Sequence, residues 1–141
     1  MSIEEENKAR QRRVFEEVIN ERKIDLIPEY FASDYSISSP MGIGIEGADG
    51  FRQSLAAGII AFPDVHYTID DMFAEGDKVA TRYTLTGTFK GELMGITPTG
   101  KRFEIIGILI TRWVDGKEVE AWESRDMLDW YRQLGVTPPS Q

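Results

Sequence analysis

The chain has 141 residues, 41% hydrophobic and 28% charged, with a formal net charge of −8 and no cysteine. This is the length and balance of one globular domain, residues 1–141, that buries a core without a staple, and it excludes a disulfide framework, a thiolate nucleophile and a cysteine metal site. The acidic balance opposes phosphate backbones, so no nucleic-acid partner is expected, and neither a secretory signal nor a membrane-length apolar run is present, so the expected place is the cytoplasm with no membrane partner.

The predicted elements begin with an amphipathic helix over residues 4–21, in which Val14, Phe15, Val18 and Ile19 recur at helical spacing. Its basic cluster Arg10, Arg12 and Arg13 is interleaved with glutamates and reads as a solvated face. Asp25 caps a second, shorter helix through Leu26, Ile27, Tyr30 and Phe31, with Pro28 in its first turn. Tyr35-Ser36-Ile37-Ser38-Ser39 alternates as a short strand and ends at Pro40, before a glycine-rich loop over residues 41–47. A third helix over residues 48–61 carries Phe51, Leu55, Ile59 and Phe62 on one stripe and stops at Phe62-Pro63-Asp64.

From there the period changes from 3.6 to 2, and four strands follow as a meander. The first covers residues 65–73 and turns at Ala74-Glu75-Gly76-Asp77. The second, residues 78–90, has Val79, Thr81, Tyr83, Leu85 and Phe89 on one face and Arg82, Thr84, Thr86, Thr88 and Lys90 on the other. After a Gly/Pro-rich loop over residues 91–100, a third strand runs over residues 101–114 and is apolar on both faces at its centre. Asp115-Gly116 is a hairpin signal, and the fourth strand covers residues 117–126, before a short helix or turn over residues 127–134. Helices first and antiparallel strands afterwards make an α+β domain with the helices on one side of the sheet. The other side of Ile106, Ile108 and Ile110 then needs cover, and a homodimer through that outer face is expected.

The ordered set Glu6-Asn7-Lys8, Asp34-Tyr35, Phe62-Pro63-Asp64, Ala74-Glu75-Gly76-Asp77-Lys78-Val79, Thr86-Gly87-Thr88, Gly91-Glu92, Gly95-Ile96, Pro98-Thr99-Gly100-Lys101, Asp115-Gly116-Lys117 and Gln133-Leu134-Gly135 resembles the SnoaL-like, or ester cyclase, branch of the nuclear-transport-factor-2-like fold, over about residues 6–136. The resemblance implies a cone-shaped α+β barrel, a curved sheet wrapped by helices around a pocket for a small hydrophobic molecule. It also implies ring closure by an intramolecular aldol condensation without metal or organic cofactor, with an aspartate at the end of the last strand as acid and base. The position matched to that aspartate is Asp126, in Ala121-Trp122-Glu123-Ser124-Arg125-Asp126. Two positions where many relatives carry histidine hold Ser38 and Phe89 here.

Alternation along the last strand puts Trp122, Ser124 and Asp126 on one face and Glu123 and Arg125 on the other. If the first set faces inward, Asp126 is a carboxylate beside an indole in an apolar cup, where desolvation tunes it for proton transfer; the alternative is that Asp126 caps the terminal helix. Tyr83, Phe89, Trp122 and Phe15 are the expected wall of the cavity, with Ser38 offering a hydroxyl. His66, the only histidine, falls on the exposed side of its strand, so neither a His-Asp dyad nor a metal triad is expected. Two functions remain open: a cofactor-free cyclase, isomerase or hydrolase, and a module of the same fold that holds a ligand without turning it over.

Overall fold

The computed structural model describes residues 1–39 and 45–138; most of the glycine-rich loop expected from residue 41 lies outside them. Ser2 caps the first helix, α1 (Ile3–Arg13), by accepting from the Glu5 amide at 3.1 Å. The chain then widens into π geometry over Val14–Asn20 rather than continuing as the regular helix expected to residue 21. Single π turns are common at functional sites, and this one buries Val14, Phe15, Val18 and Ile19. Its last residue is pinned, since the Asn20 amide exchanges two hydrogen bonds with the Tyr67 backbone, at 2.8 and 2.9 Å.

A short 3-10 turn (Ile24–Leu26) leads into α2 (Ile27–Tyr30), where Pro28 sits in the first turn as expected. That helix ends one residue early. Phe31 is already extended and opens β1 (Phe31–Ser38), a longer strand than the alternation of residues 35–39 suggested. The helix α3 (Gly47–Ala61) crosses above it, with Phe51 stacked on Phe31 at 4.0 Å between ring centres.

The strands β2 (His66–Glu75), β3 (Lys78–Thr88), β4 (Arg102–Val114) and β5 (Lys117–Arg125) form the expected antiparallel meander. The sheet has a fifth member that the meander alone did not predict: β1 pairs in parallel with β5, giving the order β1-β5-β4-β3-β2. Asp115 (φ 50°) and Gly116 (φ 80°) form the β4–β5 hairpin in the left-handed conformations that an Asp-Gly turn supplies. The last helix, α4 (Met127–Leu134), folds back over β4 and is stopped by Gly135 at φ 74°.

The alternation expected for β3 holds throughout: Val79, Thr81, Tyr83, Leu85 and Phe89 are buried in the core. On β4, Ile105 is buried while Ile106, Ile108 and Ile110 stand exposed on the outer face. β5 departs from its expected pattern. The pairing steps from Trp113↔Glu118 to Arg112↔Glu120, leaving Val119 as an extra residue. This β-bulge shifts every later side chain to the opposite face. Ala121, Glu123 and Arg125 therefore turn inward, and Trp122, Ser124 and Asp126 turn outward, the reverse of unbroken alternation. Among the described residues no helix is long and apolar enough to cross a membrane.

Candidate functional site

Between the concave face of the sheet, the π segment of the first helix, α3 and α4 lies a cavity of about 310 Å³. Its wall is mostly apolar, with Phe15, Ile19, Phe31, Phe51, Leu55 and Trp130 among its lining residues. Into this wall project three charged or ionisable side chains from β5: Glu118, Glu123 and Arg125. All three face inward, before and after the bulge, because the extra residue separates Glu118 from the other two by an odd number of positions.

Glu123 and Arg125 form a buried pair, 3.1 Å between Oε2 and Nη2. The Tyr83 hydroxyl donates to Glu123 Oε2 at 2.7 Å, and the Ser39 hydroxyl donates to Oε1 at 3.1 Å. Arg125 in turn donates from Nε to the Tyr83 oxygen at 2.8 Å and from Nη2 to the Tyr67 oxygen at 2.7 Å. Phe15 packs against both tyrosine rings, 5.2 Å from Tyr67 and 5.8 Å from Tyr83, and holds them from the helix side. Burial raises the phenol pKa of Tyr67 and Tyr83, so both remain neutral hydrogen-bonding groups.

Tyr83 reaches this position because the residue opposite it is glycine. Tyr83 pairs with Gly107 across β3 and β4, and a Cβ on Gly107 would stand 2.3 Å from the Tyr83 hydroxyl oxygen. The phenol lies over the space that a side chain would fill.

Glu118 sits in a drier environment. It is 2% exposed, and burial pushes its carboxyl up to about 8, with the nearby Glu123 charge adding to the rise and the Tyr35 hydroxyl opposing it. At neutral pH it is therefore mainly a neutral acid. Its Oε1, the Gln11 amide nitrogen and the Trp130 indole nitrogen are buried without a hydrogen-bond partner among the described residues, and all three side chains line the cavity. No three His, Asp or Glu side chains among the described residues gather to hold a metal ion.

The residues singled out in the sequence divide sharply. Phe15 lines the cavity, and Tyr83 is the partner of both Glu123 and Arg125. Phe89 is fully buried but does not line the cavity itself; it packs, at 5.6 Å, on Phe62, which does. Ser38 is exposed and pairs with Trp122 on the outer side; its neighbour Ser39 is the hydroxyl that enters. Trp122 is 36% exposed, opposite Ile110, with the Lys78 ammonium 5.8 Å from its ring. Asp126 is exposed and caps α4, accepting from the Asp129 amide at 3.0 Å, so the capping alternative describes it. The pair missed by alternation, Glu123 and Arg125, follows from the bulge.

The description of SnoaL-like polyketide cyclases matches residues 9–134. The chain belongs to the SnoaL-like polyketide cyclase family. Among its relatives is the aklanonic acid methyl ester cyclase DauD of Streptomyces sp. (strain C5), 29% identical over 127 residues that cover 88% of this chain and 79% of DauD. A solved structure of AclR from Streptomyces galilaeus, described as a hydroxylase, is 31% identical with a TM-score of 0.80, covering 97% of this chain and 85% of AclR. The fold agrees more tightly still with a SnoaL-like polyketide cyclase structure from Jannaschia sp. CCS1, at TM-score 0.88 and 21% identity over 98% of this chain and 97% of that one. The architecture is accordingly the cone-shaped α+β fold of this family, a curved five-stranded sheet wrapped by helices.

Proposed function

We propose that this SnoaL-like protein takes a small hydrophobic carbonyl compound into the cavity and closes a ring in it by an intramolecular aldol reaction, with Glu123 as the acid and base. The observation that carries this reading is the position of Glu123: a carboxylate inside an apolar cavity, held by Arg125, Tyr83 and Ser39 so that its oxygens are oriented before a ligand arrives. A base so placed removes a proton next to a carbonyl; the resulting carbon attacks a second carbonyl of the same molecule, and the alkoxide takes the proton back. No atom enters or leaves, so product and substrate have the same mass. In this scheme Phe15 serves as the wall expected of it, and Tyr83, also expected in the wall, serves instead as the orienting partner of Glu123 and Arg125. Asp126 has none in this scheme.

The relatives that act on aklanonic acid methyl ester supply a first substrate to try. Incubated with that ester, the protein should yield a cyclised isomer of unchanged mass and altered retention, well above the buffer rate. Tight binding of the ester with no isomer formed would favour the ligand-holding alternative. We also read the chain as one cytoplasmic domain that pairs with a second copy through Ile106, Ile108 and Ile110, which are exposed side by side on the outer face. Sedimentation equilibrium at micromolar concentration should then return a dimer, and a monomer would contradict the pairing.

A further inference from the structure

Arg125 has more hydrogen-bond donors than the protein uses. A guanidinium carries five N–H groups in a fixed plane. Three are engaged: Nε–H on the Tyr83 oxygen, and the two on Nη2 on the Tyr67 oxygen and Glu123 Oε2. Among the described residues Nη1 has no hydrogen-bond partner, although the side chain is only 13% exposed and lines the cavity. A cation that is permanently charged, fixed on one edge by the buried Tyr83 and the partly buried Tyr67 and unpaired on the other, stands in an apolar wall. The fixed edge cannot be the reason for the free one: the ion pair with Glu123 needs only Nη2.

We propose that Arg125 is a catalytic residue whose Nη1 donates to the carbonyl oxygen of the bound molecule and stabilises the oxyanion that forms there. This rests on the aldol reading above and adds to it the group that carries the charge. The charges balance in the following way. Before reaction Glu123 and Arg125 neutralise each other. When Glu123 takes the proton from the carbon next to the carbonyl, the C–H electron pair becomes the C=C bond of an enolate and the carbonyl electrons move onto oxygen. Glu123 is then neutral, and the positive charge of Arg125 is matched by the new oxyanion 's negative charge. When the carbon–carbon bond forms, the charge passes to the second carbonyl oxygen, which takes the proton from Glu123. The ion pair is restored, and the guanidinium has met a negative partner at every stage. Donors preset toward developing charge in a water-poor site are among the largest contributions to catalysis. The neighbouring Tyr67 and Tyr83 are positioning residues in this scheme, since they hold the guanidinium plane.

The test uses 4-nitrophenol, whose phenolate imitates an enolate oxygen and absorbs apart from the phenol. At a pH one unit below the pKa of the free compound, the wild-type protein should raise the phenolate share of the bound probe. Arg125→Gln should lower the ratio of bound phenolate to phenol about tenfold or more, the effect of losing a hydrogen bond to a charged group. Because that variant leaves Glu123 unpaired in the interior and can fail to fold, a second pair keeps the question open to refutation. Glu123→Gln leaves the guanidinium uncompensated and should raise the ratio above wild type, whereas Glu123→Gln combined with Arg125→Gln should bring it down again. Equal ratios in the single and double variants, or a wild-type protein that does not bind the probe at millimolar concentration, would overturn the proposal. Phenolate stabilisation without any cyclisation of aklanonic acid methyl ester would instead remove the aldol reading and leave the oxyanion site standing.

Discussion

β3 and β5 are neighbours of the same strand β4, both antiparallel to it and both carrying side chains into the cavity, yet they obey alternation differently. β3 pairs with β4 residue for residue from Lys78↔Arg112 to Thr88↔Arg102, so every second side chain from Val79 to Leu85 is buried. β5 carries one additional residue, Val119, and from there its inward set is the one that alternation assigns to the outside. The regular strand supplies packing and one tyrosine; the bulged strand supplies the charges. A bulge allows both Glu118 and Glu123 to point inward, which uninterrupted alternation forbids for residues five apart.

The sharpest way to break this comparison is to delete Ala121, just beyond the bulge, which slips every later residue of β5 by one place against β4. The shortened β5 would turn Trp122 and Ser124 into the cavity and Glu123 and Arg125 out of it, and we expect a loss above about 4 kcal/mol, enough to abolish cooperative unfolding followed by circular dichroism. Deleting a residue from the Gly91–Gly100 loop, by contrast, should leave cooperative unfolding intact. Replacing Glu123 by Ala keeps the bulge but strands a buried guanidinium, with an expected cost of about 3–5 kcal/mol in urea unfolding. On the regular side, Gly107→Ala places a methyl group under the Tyr83 phenol and should cost about 1–3 kcal/mol, while lowering the affinity for 4-nitrophenol because Tyr83 no longer orients Arg125.

The pH dependence sharpens the same contrast at Glu118. The titratable groups that bear on it are Tyr35 from β1 and Glu123 from β5 itself, while its cross-strand partner Trp113 on β4 and the cluster of Thr111 and Gln11 beside that residue are neutral. Burial moves the carboxyl from its ordinary 4.5 up to about 8, so between those values the folded chain holds a proton that the unfolded chain releases. Stability should therefore fall as pH rises through that window, by at most about 1.4 kcal/mol per pH unit, and Glu118→Gln should flatten the slope in denaturant titrations. The smallest effect is expected outside the cavity: Asp126→Ala removes a helix cap worth about 1 kcal/mol in thermal unfolding, and Asp126→Asn, an equally good cap, should cost almost nothing.

Much of the fold was legible because it rests on local signals. The period change after Phe62, the Asp115-Gly116 turn and the two-faced β3 each follow from residue types in a short window. The parallel pairing of β1 with β5 was not legible, since it depends on where α2 and α3 carry the chain. The site was half legible. Phe15 and Tyr83 could be read from spacing because the π segment still buries Phe15 and β3 pairs with β4 without a bulge. Glu123 and Arg125 could not, because a bulge shifts parity without requiring a glycine or proline, and Lys117-Glu118-Val119-Glu120 contains neither. One clue was available: unbroken alternation from the hairpin puts Glu118, Glu120, Trp122 and Ser124 on one face, a poor inner set beside the apolar inward residues of β4. The same inference failed on Ser38, where the inward hydroxyl belongs to Ser39.

The central claim is that the working carboxylate is the one the bulge turns inward. Turnover of aklanonic acid methyl ester by Glu123→Gln and Asp126→Asn, measured side by side on folded proteins, tests it most directly. The structure predicts a loss of about a hundredfold or more for Glu123→Gln and a rate close to wild type for Asp126→Asn. An active Glu123→Gln variant beside an inactive Asp126→Asn variant would contradict it.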